Sequence, residues 1–190
     1  MSRIMQSMLA AVLLLATFQH AQADSYTETR EVFTRAGESN AYFGKAYGYA
    51  MFPTIGKGGM GIGGAHGSGQ VYVGGKHVGD TKMTQLSIGW QLGGQAYSQI
   101  IFFEDKRAFE DFTSGNFEFG AQATAVAITA SAGAQATTGG GAQASVAGGK
   151  NDASTSSLGY RKGMAVFTVA KGGLMYEAAI AGQKYSYTPR

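Results

Sequence analysis

The side chains that could do chemistry are few and widely spaced. Beyond residue 23 the histidines are His66 and His77, and Asp80 lies three residues after the second one. A metal site needs ligands that a common element holds together, but no helical pattern and no cysteine joins these three residues. We interpret both histidines as residues of surface loops, and we expect no metal and no cofactor.

Catalytic groups are equally hard to assemble from this sequence. The G-x-S-x-G nucleophile motif needs a glycine two residues before the serine, and His66 occupies that position before Ser68. The carboxylate pairs at 104–105 and 110–111 flank a short helical pattern, where they would cap the helix and face solvent. We therefore predict that the protein has no catalytic residues and is not an enzyme.

Residues 56–69 read GKGGMGIGGAHGSG and contain the pattern G-x-G-x-x-G twice. A dinucleotide site needs a helix after such glycines, but a strand-like run follows at 70–73, and the chain has no G-x-x-x-x-G-K-[ST] motif. We predict extended backbone without a nucleotide, with one bare face on which another backbone or an aromatic ring can pack, and Trp90, Tyr97 and Phe102 are candidate rings. The structural glycines of this interpretation are Gly58, Gly59, Gly61, Gly63 and Gly64.

The N-terminal segment has the three parts of a secretory signal peptide. Arg3 is its basic residue, residues 8–18 are apolar, and Ala21-Gln22-Ala23 is an A-x-A cleavage site. The apolar run is shorter than the about 20 residues that a membrane-spanning helix needs. We predict cleavage after Ala23 and an exported, periplasmic protein, with residues 1–23 as signal peptide and residues 24–190 as a single domain.

Composition limits the possible partners. The formal net charge of +3 is too small to indicate nucleic acid, and without cysteine the exported chain must rely on a hydrophobic core. Charged residues make up 14% of the chain, against about 25% in an average soluble domain. We expect lipid or another protein to cover part of such a weakly charged, aromatic surface.

Periodicity predicts an α+β fold. We expect a helix at 26–36 with a further turn at 39–43, and a short helix that Asp105 caps and Gly115 ends. The predicted strands are 49–52, which ends at Pro53, and 70–73, which a Gly74-Gly75 turn joins to 76–78. Further strands are 87–92, 95–103, 117–128, and a closing hairpin of 164–170 with 174–187. Residues 131–157 are a low-complexity segment inside the domain.

These elements predict a curved antiparallel sheet, up to nearly closed, with the N-terminal helix and the short mid-chain helix packed on it.

The order of sequence blocks resembles the SYLF family. The blocks are residues 47–72 (YGYAMFPTIGKGGMGIGGAHGSGQVY), 83–103 (MTQLSIGWQLGGQAYSQIIFF), 105–112 (DKRAFEDF) and the F-x-F-G-A run at 117–121. That family includes phosphoinositide-binding, actin-associated adaptors of fungi and animals, and exported bacterial proteins. The resemblance implies a fold and phospholipid binding. With a signal peptide, this copy is not expected to meet cytosolic actin or phosphoinositides.

Lysines and aromatic residues alternate through the glycine-rich blocks. Aromatic rings can bury partly at the boundary between lipid chains and headgroups, while ammonium groups meet phosphate. With the family resemblance, this makes eight residues candidates for lipid contact: Lys45, Tyr47, Tyr49, Phe52, Lys57, Tyr72, Lys76 and Lys82.

The sequence therefore predicts a non-enzymatic exported protein that binds lipid or a membrane surface. The alternative is a structural or protein-interaction module of the cell envelope with an envelope protein as partner, because residues 131–149 are rich in Ala, Gly and Gln. An outer-membrane β-barrel is the third possibility. The tyrosines, the glycines and the alternation of polar and apolar residues are typical of such barrels, but the helical patterns are not.

Overall fold

The computed structural model describes residues 24–89, 95–120, 123, 125–128, 159–171 and 180–190. The predicted signal peptide and the 131–157 segment lie outside the described residues, as does Trp90. The helices are α1 (24–35), α2 (Gly37–Phe43) and α3 (Lys106–Phe112). The strands are β1 (Gly48–Val73), β2 (Lys76–Gly89), β3 (Gln95–Phe103), β4 (Phe117–Glu118), β5 (Val126–Ile128), β6 (Met164–Lys171) and β7 (Lys184–Pro189).

The seven strands form one sheet in the order β4-β7-β2-β1-β3-β6-β5. In this order β2 and β1 separate β7 from β3, yet the Gln99 amide on β3 donates a hydrogen bond of 2.8 Å to the Tyr185 hydroxyl on β7. Side chains can meet across two intervening strands only if the sheet curls, so this sheet is a half-barrel. The predicted α+β fold with a curved sheet is confirmed. The strand pairs are antiparallel except β5 with β6, which is parallel.

Strand β1 is a 26-residue extended segment that doubles back on itself. Its first part pairs with β3 and its second part with β2. The two parts also touch, because a Cβ atom added at Gly67 would lie 2.6 Å from the Ile55 side chain, and one at Gly69 would lie 2.6 Å from the Phe52 ring. Because the later residue, Gly69, meets the earlier residue, Phe52, the two parts of β1 run antiparallel, and the chain reverses near residue 60.

The glycine stretch is extended backbone, as predicted. The ring of Phe52 packs on Gly69, while Trp90, one of the rings proposed for this role, lies outside the described residues. Among the five glycines named from the sequence, Gly64 has the Gln85 carbonyl oxygen 3.2 Å from an added Cβ, and Gly58 has no atom within 4 Å. The surroundings of Gly59, Gly61 and Gly63 are not described.

Pro53 does not end the strand, which corrects the sequence-based prediction. The pairing of β1 with β3 shifts register between Phe52 and Ile55, and Pro53 lies in this bulge. A bulge residue needs no ladder hydrogen bond from its backbone nitrogen, so proline is tolerated there. The Pro53 carbonyl is satisfied by the Ser98 hydroxyl, which donates to it at 2.7 Å.

The predicted glycine turn and the predicted helix cap are both confirmed. Gly74 and Gly75 have φ angles of +56° and +77°, which a two-residue hairpin turn of type I′ requires, and they join β1 to β2. The Asp105 carboxylate accepts a hydrogen bond of 2.8 Å from the Ala108 N–H and so caps α3. Strand β2 is longer than expected, since it runs without a break from Lys76 to Gly89.

The prediction of one strand at 117–128 is wrong. Strand β4 pairs with β7 at one edge of the sheet, and β5 pairs with β6 at the other edge. Between these strands in sequence, Ala123 and Ala125 pack against the concave core. Small alternating residues fit a strand, but they also fit a segment that must lie close against a core.

The predicted closing hairpin is wrong for residues 184–187, which pair with β2 and not with β6. Strand β6 lies beside β3 and β7 lies beside β2, so three strands separate them in the sheet. The connecting residues 172–179 lie outside the described part of the chain. Nearness in sequence favours a hairpin of these two segments. In the curled sheet, however, β6 pairs with β3 and β7 pairs with β2.

The sheet buries a hydrophobic cluster on each face. Helices α1 and α2 cover the convex cluster, whose aromatic members are Phe33, Tyr42, Tyr49, Phe102, Tyr160 and Phe167. Helix α3 packs against the concave cluster, whose aromatic members are Phe52, Tyr97, Phe103, Phe112, Phe119 and Tyr185. The predicted packing of both helical regions on the sheet is confirmed.

Candidate functional site

The eight predicted lipid-contact residues do not share one surface. Lys45, Tyr47 and Lys76 lie at the proximal end of the sheet, which we define as the end where β1 begins and where the β1–β2 turn lies. Both lysines are exposed, whereas Tyr47 is half-buried with its ring 5.8 Å from that of Phe109. Lys82 is exposed in the middle of β2, opposite Ser68.

The predicted aromatic contacts are mostly internal. Phe52 is fully buried in the concave cluster, and Tyr49 is buried in the convex one. The Tyr49 and Tyr72 rings stack at 5.0 Å between centroids, next to α1. Burial, together with the neighbouring Tyr49, raises the pKa of Tyr72 to about 12. Burial also raises the pKa of Tyr49, and the nearby Arg30 partly offsets this increase. These rings hold α1 on the sheet.

Lys57, the eighth residue, lies at the distal end of the sheet, which we define as the end where β1 doubles back. Strand pairing aligns it there with Gln95, and the adjacent Ala96 with Lys171 on β6. Leu86 lies at this end as well, opposite Gly64 on the second part of β1. It is 88% exposed. The distal end thus combines an exposed leucine with two lysines.

Both ends of the sheet carry lysines that form no ion pair. At the proximal end, ion pairs join Lys106 to Glu110 and Arg107 to Asp105 and Asp111, whereas Lys45 and Lys76 have no carboxylate within ion-pair distance among the described residues. At the distal end, the same holds for Lys57 and Lys171 in the part of the chain that the structure describes. The Lys171 ammonium instead donates to the Thr54 hydroxyl at 2.9 Å.

A cluster of buried polar side chains lies inside the half-barrel, and sequence analysis missed it. The Gln99 amide nitrogen donates to the Gln183 amide oxygen at 3.1 Å and to the Tyr185 hydroxyl at 2.8 Å. Tyr185 donates to the same Gln183 oxygen at 2.5 Å, and the Gln183 nitrogen donates to the Tyr97 hydroxyl at 3.0 Å. We call these four residues the interior polar cluster.

Burial keeps both tyrosines of this cluster neutral. It raises the pKa of Tyr97 to about 12 and that of Tyr185 well above its ordinary value. One sequence signal could have revealed the cluster: Gln99 interrupts the inward-facing alternation Tyr97, Ile101, Phe103 of β3. No comparable signal marks Gln183, which is brought in by the curl of the sheet.

Both histidines lie on strands, His66 on β1 and His77 on β2, which corrects the prediction that they lie in loops. His77 Nδ1 lies 2.7 Å from the guanidinium of Arg190, which can only donate, so Nδ1 accepts and Nε2 carries the proton toward Asp80 at 3.0 Å. His66 is exposed on β1. Within the described residues, no three His, Cys, Asp or Glu side chains come together as metal ligands would.

A search of the described residues for helices that could cross a membrane finds none with the necessary length and apolar character.

Comparison with known proteins assigns the chain to a family. A family model described as "Ysc84: Las17-binding protein actin regulator" matches residues 84–187. Beta cell expansion factor A of Aeromonas veronii is 30% identical over 157 residues, which are 81% of this chain and 51% of that protein. The chain therefore spans about half the length of this curated relative. Since the family model covers more than half of the chain, this protein belongs to the Ysc84 (SYLF) family, as its sequence blocks predicted.

Proposed function

We propose that this protein is an exported, non-enzymatic domain that binds a membrane surface through the distal end of its sheet. Phospholipid is the partner whose chemistry fits that end. The main support is the placement of an exposed leucine at the same end as two lysines that no described carboxylate neutralises.

Leu86 supplies the apolar contact in this proposal. A single exposed leucine is common on soluble proteins, so exposure alone carries little weight. Here, however, the residue opposite Leu86 is Gly64, which has no side chain to cover it. With 88% of its surface exposed near the distal end of β2, the Leu86 side chain is available to enter the headgroup region.

Lys57 and Lys171 supply the electrostatic attraction. A lysine close to an anionic membrane gains roughly 1 kcal/mol, and salt weakens this attraction because the Debye length is about 8 Å at physiological ionic strength. The Lys171 ammonium uses one N–H for Thr54 and keeps others for phosphate oxygens. Lys82 lies along β2, four residues before Leu86, and would add to this attraction.

Vesicle flotation tests the proposal. We expect the wild-type protein, residues 24–190, to float with vesicles of phosphatidylcholine and phosphatidylglycerol, and to float less as salt increases. Leu86→Ser should lower the bound fraction in low and high salt alike. The double variant Lys57→Glu/Lys171→Glu should lower it mainly in low salt.

Two matched controls separate the distal end from the rest of the surface. Val32→Ser changes the other exposed large hydrophobic residue in the described chain, which is 39% exposed on α1. Lys106→Glu reverses a charge at the proximal end. Both controls should float like wild type. If the wild-type protein binds neither zwitterionic nor anionic vesicles, membrane binding is rejected, and if Leu86→Ser and Val32→Ser behave alike, the distal end is rejected.

Export is a separate part of the proposal, supported by the charged, apolar and A-x-A parts of residues 1–23. N-terminal sequencing of the protein from a periplasmic extract should give Asp24 as the first residue. Recovery of the chain with residues 1–23 attached would contradict cleavage after Ala23.

A further inference from the structure

Two buried atoms inside the half-barrel have no hydrogen-bond partner among the described residues. They are the Gln99 amide oxygen Oε1 and the Thr168 hydroxyl Oγ1, and both residues are 0% exposed. Buried polar atoms lose their hydration and nearly always gain a partner in return. Two unpartnered atoms close together point to a third group that both of them bind.

The register of the sheet places these residues side by side. Gln99 on β3 lies directly opposite Thr168 on β6 in an antiparallel pair. Opposed residues send their side chains to the same face, with Cβ atoms about 5 Å apart. The concave face is that face, because Gln99 bonds there to Tyr185 across the half-barrel.

The rest of the Gln99 amide is already occupied. Its nitrogen donates to Gln183 and Tyr185, so only the oxygen end remains. Turning both glutamine amides by 180° keeps the contacts of the interior polar cluster and leaves an unpaired NH2 at the same position. A partner that can both donate and accept satisfies either arrangement, and a hydroxyl oxygen has this property.

The charge of the surroundings restricts the partner further. The buried polar residues that the structure describes are all uncharged: Thr29, Ser39, Thr81, Ser98, Gln99, Thr168 and Gln183. A charged ligand would lie here without a counter-charge in a medium of low polarity, which is strongly unfavourable. The partner is therefore neutral.

We propose that the concave face contains a binding site for one neutral O–H group, held between the Gln99 amide and the Thr168 hydroxyl. Water is the smallest molecule that carries this group, and the hydroxyl of a small alcohol is the other source. The site is separate from the distal end, so it does not depend on membrane binding.

Nuclear magnetic resonance and mass spectrometry distinguish the two sources. In labelled protein, a buried water gives cross-relaxation peaks from the water signal to the Thr168 methyl group and the Gln99 side-chain amide. A retained alcohol gives instead a stoichiometric mass increase in native spectra that denaturation removes. Either result supports the site. Absence of both overturns it.

Two valine substitutions give an independent test. Thr81 is also buried, but its hydroxyl donates to the Ser186 carbonyl at 2.8 Å, so Thr81→Val removes a known bond and should lower Tm by about 2 to 4 °C. If the Thr168 hydroxyl binds an O–H group, Thr168→Val should lower Tm by a similar amount. If that hydroxyl is truly unpartnered, Thr168→Val should raise Tm, which would contradict the proposal.

A conservative variant guards against trivial misfolding. Thr168→Ser keeps the hydroxyl, so the water cross-peak or the bound mass should persist, whereas Thr168→Val should lose it. Loss of the signal in both variants would show that the hydroxyl does not hold the group. Vesicle flotation of Thr168→Val should match wild type, which keeps this result distinct from a failure of the membrane proposal.

Discussion

The two faces of the curled sheet are built from different residues. On the convex face, the Phe102 ring contacts those of Tyr42, Phe43 and Phe167 at 5.0 to 6.0 Å between centroids. The concave face carries the interior polar cluster and, at Gly48, Gly67, Gly69 and Gly79, positions where an added Cβ would collide with neighbouring atoms. Bending brings side chains together on the inside and spreads them on the outside. Glycines on the concave face therefore leave room for the rings that also pack there, such as Phe52 against Gly69 and Tyr187 against Gly79.

The largest expected effect comes from neighbouring residues of β3 that face opposite sides. Phe102 and Phe103 are both 0% exposed, and each change to alanine should cost about 3 to 5 kcal/mol of unfolding free energy. Phe102→Ala should expose the amides of α2 to hydrogen exchange, since Phe102 contacts Tyr42 and Phe43. Phe103→Ala should expose those of α3, since Phe103 packs on Phe112 at 5.0 Å. If both variants increased amide hydrogen exchange in the same helix, the separation of the two faces would be contradicted.

The concave glycines give the next largest effect. A side chain at Gly48 would collide with the Tyr72 carbonyl oxygen, so Gly48→Ala should cost about 1 to 3 kcal/mol in urea unfolding. Gly58→Ala is the matched control, because no atom lies within 4 Å of its added Cβ. We expect it to be neutral or to stabilise by roughly 0.5 kcal/mol. Equal destabilisation by both changes would show that crowding on the concave face does not explain these glycines.

Removing one hydroxyl from each face should have opposite effects. Tyr185→Phe deprives the Gln99 and Gln183 amides of partners and should cost about 1 to 2 kcal/mol. The Tyr160 hydroxyl on the convex face is buried and has no hydrogen-bond partner in the described part of the chain, so Tyr160→Phe should be neutral or stabilising. Urea unfolding of both variants measures the difference, and a loss of stability in Tyr160→Phe would argue for a polar contact on the convex face too.

The smallest predicted effect is a dependence on alkaline pH. Burial raises the pKa of Tyr97 to about 12, whereas an unfolded tyrosine titrates near 10. Below pH 10 both states keep the proton, so Tyr97 adds no pH dependence there. Between pH 10 and 12 the unfolded state ionises first, and stability should fall by up to about 1.4 kcal/mol per pH unit. Tyr97→Phe should make this decline shallower, and an unchanged slope would contradict the assignment to Tyr97.

Local features were predictable from the sequence, whereas long-range partners were not. The Gly74-Gly75 turn, the Asp105 cap and the bounds of β3 follow from backbone preferences of a few neighbouring residues. The bulge at Pro53 and the division of 117–128 between two sheet edges depend on curling, which no short segment encodes. For the same reason, Lys57, Leu86 and Lys171 could not be grouped in advance.

Doubling back of β1 also bears on the order in which the chain folds. The central part of the sheet, from β2 through both parts of β1 to β3, comes from the continuous segment 48–103. Its strands can pair through short loops, whereas β7 must find β2 across about a hundred residues, a slower step since long loop closure is entropically costly. A nascent chain released early would thus already have its four central strand segments paired before β7 reaches the edge of β2.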